Sequence, residues 1–344
     1  MTKSRIKKES GVSCTEENEN FPVPDFDIVR TAHVEYYVRN LEKSRKFYVD
    51  TLGLVETEAN DSQIYLRGLE DRFHHSLVLT KSPRPGVGHI SFRLREETQL
   101  QKIADLFEEM KLPYKWVDAE SEERGQGRAL RAQDPLGFPV EFFSKMEDVE
   151  WLWQKFDQHR GARIMRLDHV NLFVPDVQKA SDWYVERLGF ACTEYTETEG
   201  PSPKLWGTWL KRKPTVHDVA LMTGGGPRVH HTGLYVSDKH SILDAADKLA
   251  ASGYLKAIER GPGRHGISNA FFLYLRDPDG HRIELYTGDY LSADPDWKPI
   301  KRKLDNPQRQ TFWGAPAPES WFKEASTVRS VFGEKDVKTS NPAV

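Results

Sequence analysis

An internal repeat constrains the fold of this chain more than any other feature. Residues 31–40 (TAHVEYYVRN) and 167–176 (LDHVNLFVPD) share the alternation of apolar and polar residues that is typical of a β-strand. Each strand pattern is followed by a helix pattern that ends at Leu-Gly, where Gly53 and Gly189 favour a helix stop. The two halves of the chain therefore begin with the same strand–helix unit.

Each half also contains a second copy of that unit. The second copies begin at 88–92 (GHISF) and at 230–234 (HHTGL), and each half closes with a DPLG or DPDG turn before a strand that carries Glu141 or Glu284. Such repetition indicates one supersecondary unit that has been copied. We predict an α+β fold of four repeated βαβββ units, paired into two open-barrel domains.

The composition of the segments between and around the units suggests the domain boundaries. The termini are polar, and the long stretch after residue 290 has many Pro, Trp and charged residues, which is typical of an irregular functional segment. We predict a flexible arm (1–27), a first domain (28–146), a linker helix (147–164), a second domain (165–290), and a C-terminal extension (291–344) that is a candidate lid with a loose end from Glu334.

Charge and hydropathy exclude several classes of protein. The formal net charge of −3 over 344 residues gives no basic field for nucleic acid, and no run approaches the ~20 apolar residues of a membrane span. The first residues lack the apolar segment of a secretory signal. Of the two cysteines, Cys14 lies in a polar tail, so we expect no structural disulfide and a cytoplasmic location.

Three potential metal ligands occupy equivalent places in the repeat of the second half. These residues are His169, His231 and Glu284. Two imidazoles and one carboxylate leave open coordination positions, which suits non-haem Fe(II) with O2 and also Mn(II), although zinc sites of this composition exist. A single strand histidine is usually a packed core residue, but three ligand types at matching positions favour a metal centre.

Two further residues are placed near these ligands by their spacing. His217 precedes His231 by fourteen residues, and we predict that it lies on the preceding strand; an imidazole can take up and return a proton near neutral pH. Tyr274 precedes Glu284 by ten residues on the adjacent strand of a predicted hairpin. Its hydroxyl can bind a substrate oxygen, although an aromatic packed in a sheet is the commoner case.

The glycine-rich segment 261–266 (GPGRHG) leads into a strand pattern. A phosphate-binding loop has to open a helix, so we reject a nucleotide site here. We expect this segment to hold Arg260 and His265 over a pocket instead.

Four longer motifs carry a resemblance to a known family. They are RLDHVNLFVPDV, KPTVHDVALMTGGGPRVHH, AIERGPGRHGISNAFFLYLRDPDGHRIELYTGDY and NPQRQTFWG. With them the chain resembles, over about residues 28–325, the type I extradiol ring-cleavage dioxygenases of the vicinal oxygen chelate superfamily. The similarity is greatest to the members that cleave homoprotocatechuate (3,4-dihydroxyphenylacetate).

The resemblance implies an activity and a set of roles. It implies a catechol and O2 as substrates, a muconic semialdehyde as product, Fe(II) or Mn(II) as cofactor, a catalytic second domain and a homotetramer. The implied site consists of the metal ligands His169, His231 and Glu284, the acid–base residue His217, the substrate hydrogen-bonding pair Tyr274 and His265, Asn171 beside the O2 position, and Trp209, Arg260 and Arg309 around the substrate's acidic side chain.

The first half keeps part of the same pattern. His33, His89 and Glu141 align with the three ligands of the second half, but Arg131 and Glu35 replace its tyrosine and asparagine. We assign this first-half set to the common ancestry of the repeats, and metal analysis per subunit would decide the question.

Two other functions compete with ring cleavage. A non-catalytic binding protein on this fold would not need converging ligands with an acid–base residue. A glyoxalase-type isomerase or lyase would need a carboxylate base near the metal, and would not need the trio of His217, His265 and Tyr274.

Overall fold

The computed structural model describes residues 23–333 and 335–342, so most of the predicted N-terminal arm lies outside the described residues. The chain forms two sheets, one from each half. The strands of the first sheet are β1 (Ile28–Val38), β2 (Val55–Ala59), β3 (Gln63–Arg67), β4 (Leu77–Lys81), β5 (Gly86–Leu94), β6 (Tyr114–Val117), β7 (Ala129–Gln133) and β8 (Pro139–Phe143). Their order across the sheet is β2-β3-β4-β1-β5-β8-β7-β6.

The second sheet repeats this topology and adds strands from the C-terminal extension. Its strands are β9 (Ile164–Val174), β10 (Ala191–Glu197), β11 (Leu205–Lys211), β12 (Val219–Thr223), β13 (Arg228–Val236), β14 (Ile258–Arg264), β15 (Phe271–Arg276), β16 (Arg282–Thr287), β17 (Ile300–Lys303) and β18 (Ser326–Thr327). The order is β14-β15-β16-β13-β9-β12-β11-β10-β17, and β18 pairs with β13.

One α-helix follows the first strand of each repeat unit, and a fifth lies in the extension. The helices are α1 (Leu41–Arg45), α2 (Gln99–Glu109), α3 (Val177–Asp182), α4 (Lys239–Ala251) and α5 (Glu319–Lys323). The side chains of Asn40 and Asp176 cap α1 and α3 by accepting a backbone N–H three residues on. Both helices continue into a π-helical turn, and the following Gly53 and Gly189 have positive φ.

The pairing of the strands joins the repeat units two by two. In the first half, β1 is antiparallel to β5 and parallel to β4; in the second half, β9 is antiparallel to β13 and parallel to β12. The predicted fold of four βαβββ units in two paired sets is therefore confirmed.

The two sheets share one hydrophobic core, which extends across both halves. Phe92 of β5 lies with its ring centroid 5.9 Å from that of Phe190 and 6.3 Å from that of Tyr184. A polar contact also crosses between the halves: the Tyr36 hydroxyl lies 2.6 Å from Thr232 Oγ1. The halves are thus packed as one body.

The predicted linker helix is wrong. Between β8 and β9 the described chain forms only a 3₁₀ turn at Phe156–Gln158. The backbone N–H groups of Val149 and Leu152 donate instead to the carbonyls of Arg72 and Leu69. Because these amides are paired with another segment, the linker runs extended along the first half rather than forming its own helical hydrogen bonds.

The end of the chain is also more ordered than we predicted. Within residues 335–342, the N–H of Val337 donates to the Val328 carbonyl at 2.9 Å and that of Ser340 to the Gly226 carbonyl at 2.7 Å. These backbone bonds hold the end of the extension against the residue that follows β18 and against the turn before β13. Among the helices of the described residues, none has the length and apolar character that a membrane crossing requires.

Candidate metal centre and substrate pocket

The structure brings His169, His231 and Glu284 to one point. They lie on the adjacent strands β9, β13 and β16, and all three are buried. Glu284 Oε2 lies 3.0 Å from His169 Nε2 and 3.2 Å from His231 Nε2. Although burial raises it, the histidines around Glu284, His169 first among them, keep the pKa of this carboxyl well below its usual value, so the carboxylate is ionised. Three donor atoms therefore converge with the spacing of metal ligands.

Neighbouring groups fix the tautomers of both histidines. His230 Nε2 lies 2.9 Å from the Trp321 carbonyl and must donate to it, which leaves His230 Nδ1 as the acceptor for His231 Nδ1 at 2.7 Å. His169 Nδ1 lies 3.4 Å from Asp168 Oδ2, to which it can donate. In both ligand histidines the Nε2 lone pair is then free to point at the metal position. The donor set fits a divalent metal.

A glycine makes room for one of these rings. Gly233 of β13 is the register partner of His169. A Cβ atom at residue 233 would lie 2.1 Å from His169 Cε1, well inside any real contact distance. The backbone of β13 therefore forms the wall against which this imidazole lies.

The three ligands open into a pocket whose empty space, counted out to its open mouth, is about 530 Å³. The lining combines the ligands with aromatic, apolar and a few polar groups, and comprises His169, Asn171, Trp206, Trp209, His217, Met222, His231, His265, Ile267, Ser268, Ala270, Tyr274, Glu284, Tyr286, Arg309, Gln310 and Trp321.

Tyr274 and His265 form a hydrogen-bonded pair in this pocket. Tyr274 is the register partner of Glu284 in the β15–β16 hairpin, as the sequence predicted. His265 Nδ1 donates to the Gln310 carbonyl at 2.5 Å, so its Nε2 accepts from the Tyr274 hydroxyl at 2.8 Å. Burial raises the pKa of Tyr274 well above its usual value, which keeps the phenol protonated.

His217 and Asn171 face the pocket from the other side of the ligands. His217 lies two residues before β12, not on a strand as predicted, because its segment turns sharply after β11. Its ring centroid is 4.1 Å from that of His169. Among the described residues, neither His217 Nδ1 nor Asn171 Oδ1 has a hydrogen-bond partner. Burial also lowers the pKa of His217 well below its usual value, so the imidazole is neutral.

Of the three residues expected around the substrate's acidic substituent, two line the pocket and one does not. Trp209 and Arg309 line the pocket, whereas Arg260 stands outside the lining, with its guanidinium carbon 4.6 Å from the ring centroid of Trp321 and 4.8 Å from that of Phe272. Arg309 is buried and its Nε has no partner within the described chain. Burial lowers the pKa of Arg309 to about 10. A buried cation with an unused donor favours an anionic ligand.

The sequence did not single out His230, Asp168 or Trp321. His230 and Asp168 adjoin the ligand histidines in the chain, and this adjacency was the available signal. Trp321 lies on α5, and no repeat or spacing connects that helix to the site.

Comparison with known proteins agrees with this geometry. The family profile described as the Glyoxalase/Bleomycin resistance protein/Dioxygenase superfamily matches residues 30–142 and 166–285, and the chain belongs to that superfamily.

Relatives within the superfamily narrow the class further. The chain is 34% identical over 303 residues to the manganese-dependent 2,3-dihydroxybiphenyl 1,2-dioxygenase of Geobacillus genomosp. 3. This alignment covers 84% of this chain and 95% of the relative. It is 31% identical over 330 residues to a metapyrocatechase of Geobacillus stearothermophilus, spanning 90% of this chain and 97% of the relative.

Solved structures give the same result. Homoprotocatechuate 2,3-dioxygenase from Arthrobacter globiformis superposes with a TM-score of 0.88 at 41% identity, covering 94% of this chain and 98% of the other. The complex of the Brevibacterium fuscum enzyme with 3,4-dihydroxyphenylacetate has a TM-score of 0.88 at 42% identity, covering 93% and 98% of the two chains. The resemblance to extradiol dioxygenases that the motifs indicated is confirmed.

Proposed function

We propose that this protein uses O2 to cleave the ring of 3,4-dihydroxyphenylacetate beside its two hydroxyls, giving a muconic semialdehyde. The observation that carries the proposal is the convergence of His169, His231 and Glu284 at the floor of a pocket that Tyr274 and His217 also line. Among the relatives of this chain is a manganese-dependent 2,3-dihydroxybiphenyl 1,2-dioxygenase. A homoprotocatechuate 2,3-dioxygenase of the same fold has been solved in complex with 3,4-dihydroxyphenylacetate.

The metal that fits these ligands is Fe(II) or Mn(II), because both accept imidazole and carboxylate donors. When bound, it would supply a Lewis-acidic centre that activates the catechol and O2. His169 Nε2, His231 Nε2 and Glu284 Oε2 would hold it.

The other pocket residues bind the catechol and handle its protons. The Tyr274 hydroxyl, supported by His265, is placed to hydrogen-bond a catechol oxygen. Neutral His217 presents a ring nitrogen without a partner in the described chain, and we assign it the uptake and return of the catechol proton. The Asn171 side chain would orient O2 from the same wall of the pocket.

We assign the substrate's carboxylate to Arg309, which enters the pocket from the C-terminal extension. The guanidinium can bind two oxygens at once. Among the described residues, Nε and Nη1 of Arg260 have no hydrogen-bond partner. Arg260 packs against Trp321 outside the pocket lining. We propose that it adds positive charge near the pocket without contacting the substrate. Arg309, Gln310 and Trp321 line the pocket, and we therefore propose that the extension acts as a lid.

The lining argues against the isomerase or lyase alternative. Among the residues that line the pocket, Glu284 is the sole carboxylate, and it is one of the metal ligands. A carboxylate base separate from the ligands is what that chemistry would require.

A substrate panel tests the proposal. The protein loaded with Mn(II) or Fe(II) is given 3,4-dihydroxyphenylacetate, unsubstituted catechol or 2,3-dihydroxybiphenyl in air. We expect yellow semialdehyde with matched O2 consumption, and the lowest KM for the carboxylated catechol. Failure with every catechol and both metals would refute ring cleavage, while a lower KM for 2,3-dihydroxybiphenyl would refute the assigned substrate.

The variant Arg309→Met tests how the substrate is chosen. Losing one member of a buried charge pair costs about 2 kcal/mol or more, so KM for 3,4-dihydroxyphenylacetate should rise ~30-fold or more. Unsubstituted catechol, which lacks the carboxylate, is the internal control, and its KM should change little. An equal rise for both catechols would show that Arg309 does not bind the carboxylate.

The homotetramer and the cytoplasmic location rest on the resemblance and the composition, and we keep both as proposals. Light scattering on the purified protein would test the oligomeric state.

A further inference from the structure

A second group of metal-ligating side chains lies in the first half, away from the pocket. It comprises His33 on β1, His89 on β5, Glu141 on β8 and Glu123 on the loop before β7, and all four are buried. His33 Nε2 lies 3.0 Å from His89 Nε2, 3.2 Å from Glu123 Oε2 and 3.3 Å from Glu141 Oε1. His89 Nε2 lies 3.1 Å from Glu123 Oε1. Glu123 is the member that the repeat pattern did not reveal.

The hydrogen bonds around the group direct its donor atoms inward. His89 Nδ1 donates to Glu35 Oε2 at 3.1 Å, so the lone pair of His89 Nε2 points at the group. Arg131 binds Glu141 Oε2 at 2.5 Å and Glu123 Oε1 at 2.6 Å. Those two bonds leave Glu141 Oε1 and Glu123 Oε2 turned towards His33.

In this buried group the negative charges of the carboxylates outnumber the positive charge of the arginine. Glu35, Glu123 and Glu141 carry three negative charges, and Arg131 supplies one positive charge. Two negative charges are left in a region removed from water, where uncompensated charge is costly. Although burial lowers them, the carboxylates raise the pKa values of His33 and His89, so either protons on these histidines or a divalent cation would neutralise both charges.

We propose that the first half binds a divalent transition metal through His33 Nε2, His89 Nε2, Glu123 and Glu141. Tetrahedral ligands at about 2.05 Å from an ion lie about 3.3 Å from one another. The donor distances are 3.0–3.3 Å, except that His89 Nε2 and Glu141 Oε1 lie 3.8 Å apart. Two imidazoles and two carboxylates suit Zn(II) and also Mn(II). The proposal replaces the interpretation of the first-half residues as a remnant of ancestry.

This site is closed, which distinguishes it from the centre in the second half. Glu123 lies eight residues before Arg131, and His265 lies nine before Tyr274, so the two loops occupy corresponding places. In the second half that loop borders the pocket. In the first half Arg131 stands opposite Glu141 in the sheet register, as Tyr274 does opposite Glu284, and it binds both Glu141 and Glu123. Since the ligands surround the ion, we assign it a structural role without substrate access.

Metal counting in a background without the second-half ion tests the proposal. Wild type, His231→Asn and the double variant His231→Asn/Glu123→Gln are purified, reloaded with Mn(II) or with Zn(II), dialysed, and analysed for metal per chain. We expect two ions in wild type, one in His231→Asn and none in the double variant. Binding to His231→Asn should also raise its Tm, and this rise should vanish in the double variant.

Two single variants complete the design. Glu123→Gln alone should lose one ion and keep ring cleavage, since the pocket is untouched, whereas Glu120→Gln, at an exposed carboxylate of the same loop, should keep both ions. A wild type that holds one ion with either metal would overturn the proposal and show that protons balance the charge. Two ions in Glu123→Gln would also overturn it, because the second ion would then lie elsewhere. Wild-type stoichiometry decides the matter even if a variant fails to fold.

Discussion

At the scale of single residues, the position of the metal depends on which ring nitrogen of each ligand histidine carries the proton. The tautomer of His231 is fixed by His230, which is itself held by the carbonyl of Trp321. The tautomer of His169 is fixed by Asp168. The metal position is thus defined by groups that do not touch the metal. Loss of such supporting groups commonly weakens metal binding about 10- to 100-fold.

The variant His230→Phe tests this dependence. Without the acceptor at His230 Nδ1, the His231 ring has no group that holds its tautomer, so the Mn(II) concentration for half-maximal ring cleavage should rise about 10- to 100-fold. His240→Gln, at an exposed histidine on α4, is the control and should leave that concentration unchanged. An unaltered Mn(II) requirement in His230→Phe would mean that the tautomer is fixed in another way.

At the scale of elements, the strand pair β9–β13 sets the position of the metal, because Gly233 leaves the space in which the His169 ring lies. The variant Gly233→Ala would place a methyl group 2.1 Å from His169 Cε1 and should displace the ring. We expect loss of most metal binding at the second-half site, measured by metal analysis and by ring cleavage. Gly333→Ala is the matched control, because among the described residues no atom beyond its chain neighbours lies within 4 Å of the added Cβ. Full metal content in Gly233→Ala would contradict the assigned packing.

The elements also show what the sequence can and cannot predict. The repeat predicts the strands, their pairing and the shared position of His169, His231 and Glu284, because periodicity and equivalence are local properties of the chain. The linker, Glu123 and Trp321 follow no period, and their places depend on contacts with distant segments. His217 was assigned to the correct unit but to the wrong element, since a spacing does not reveal where a turn ends and a strand begins.

At the scale of the whole molecule, the common core predicts that both halves unfold together. Phe92 packs on Phe142 of its own half and on Tyr184 and Phe190 of the other. The variant Phe92→Ala should lower the free energy of unfolding by about 3–5 kcal/mol and still give one calorimetric transition. Phe156→Ala, at a ring that is 75% exposed, should change it little. Two transitions, of which only one shifts in Phe92→Ala, would show that the halves are independent.

Ring cleavage at the second-half metal centre is checked by the rate of O2 consumption with 3,4-dihydroxyphenylacetate by wild type and Glu284→Gln, each loaded with Mn(II) or Fe(II) and analysed for metal. Glu284 is the carboxylate that joins the two imidazoles, so we predict that the variant loses the second-half ion and the catechol-dependent O2 consumption together. Ring cleavage at the wild-type rate by a Glu284→Gln protein that lacks this ion would show that His169, His231 and Glu284 do not form the centre of ring cleavage.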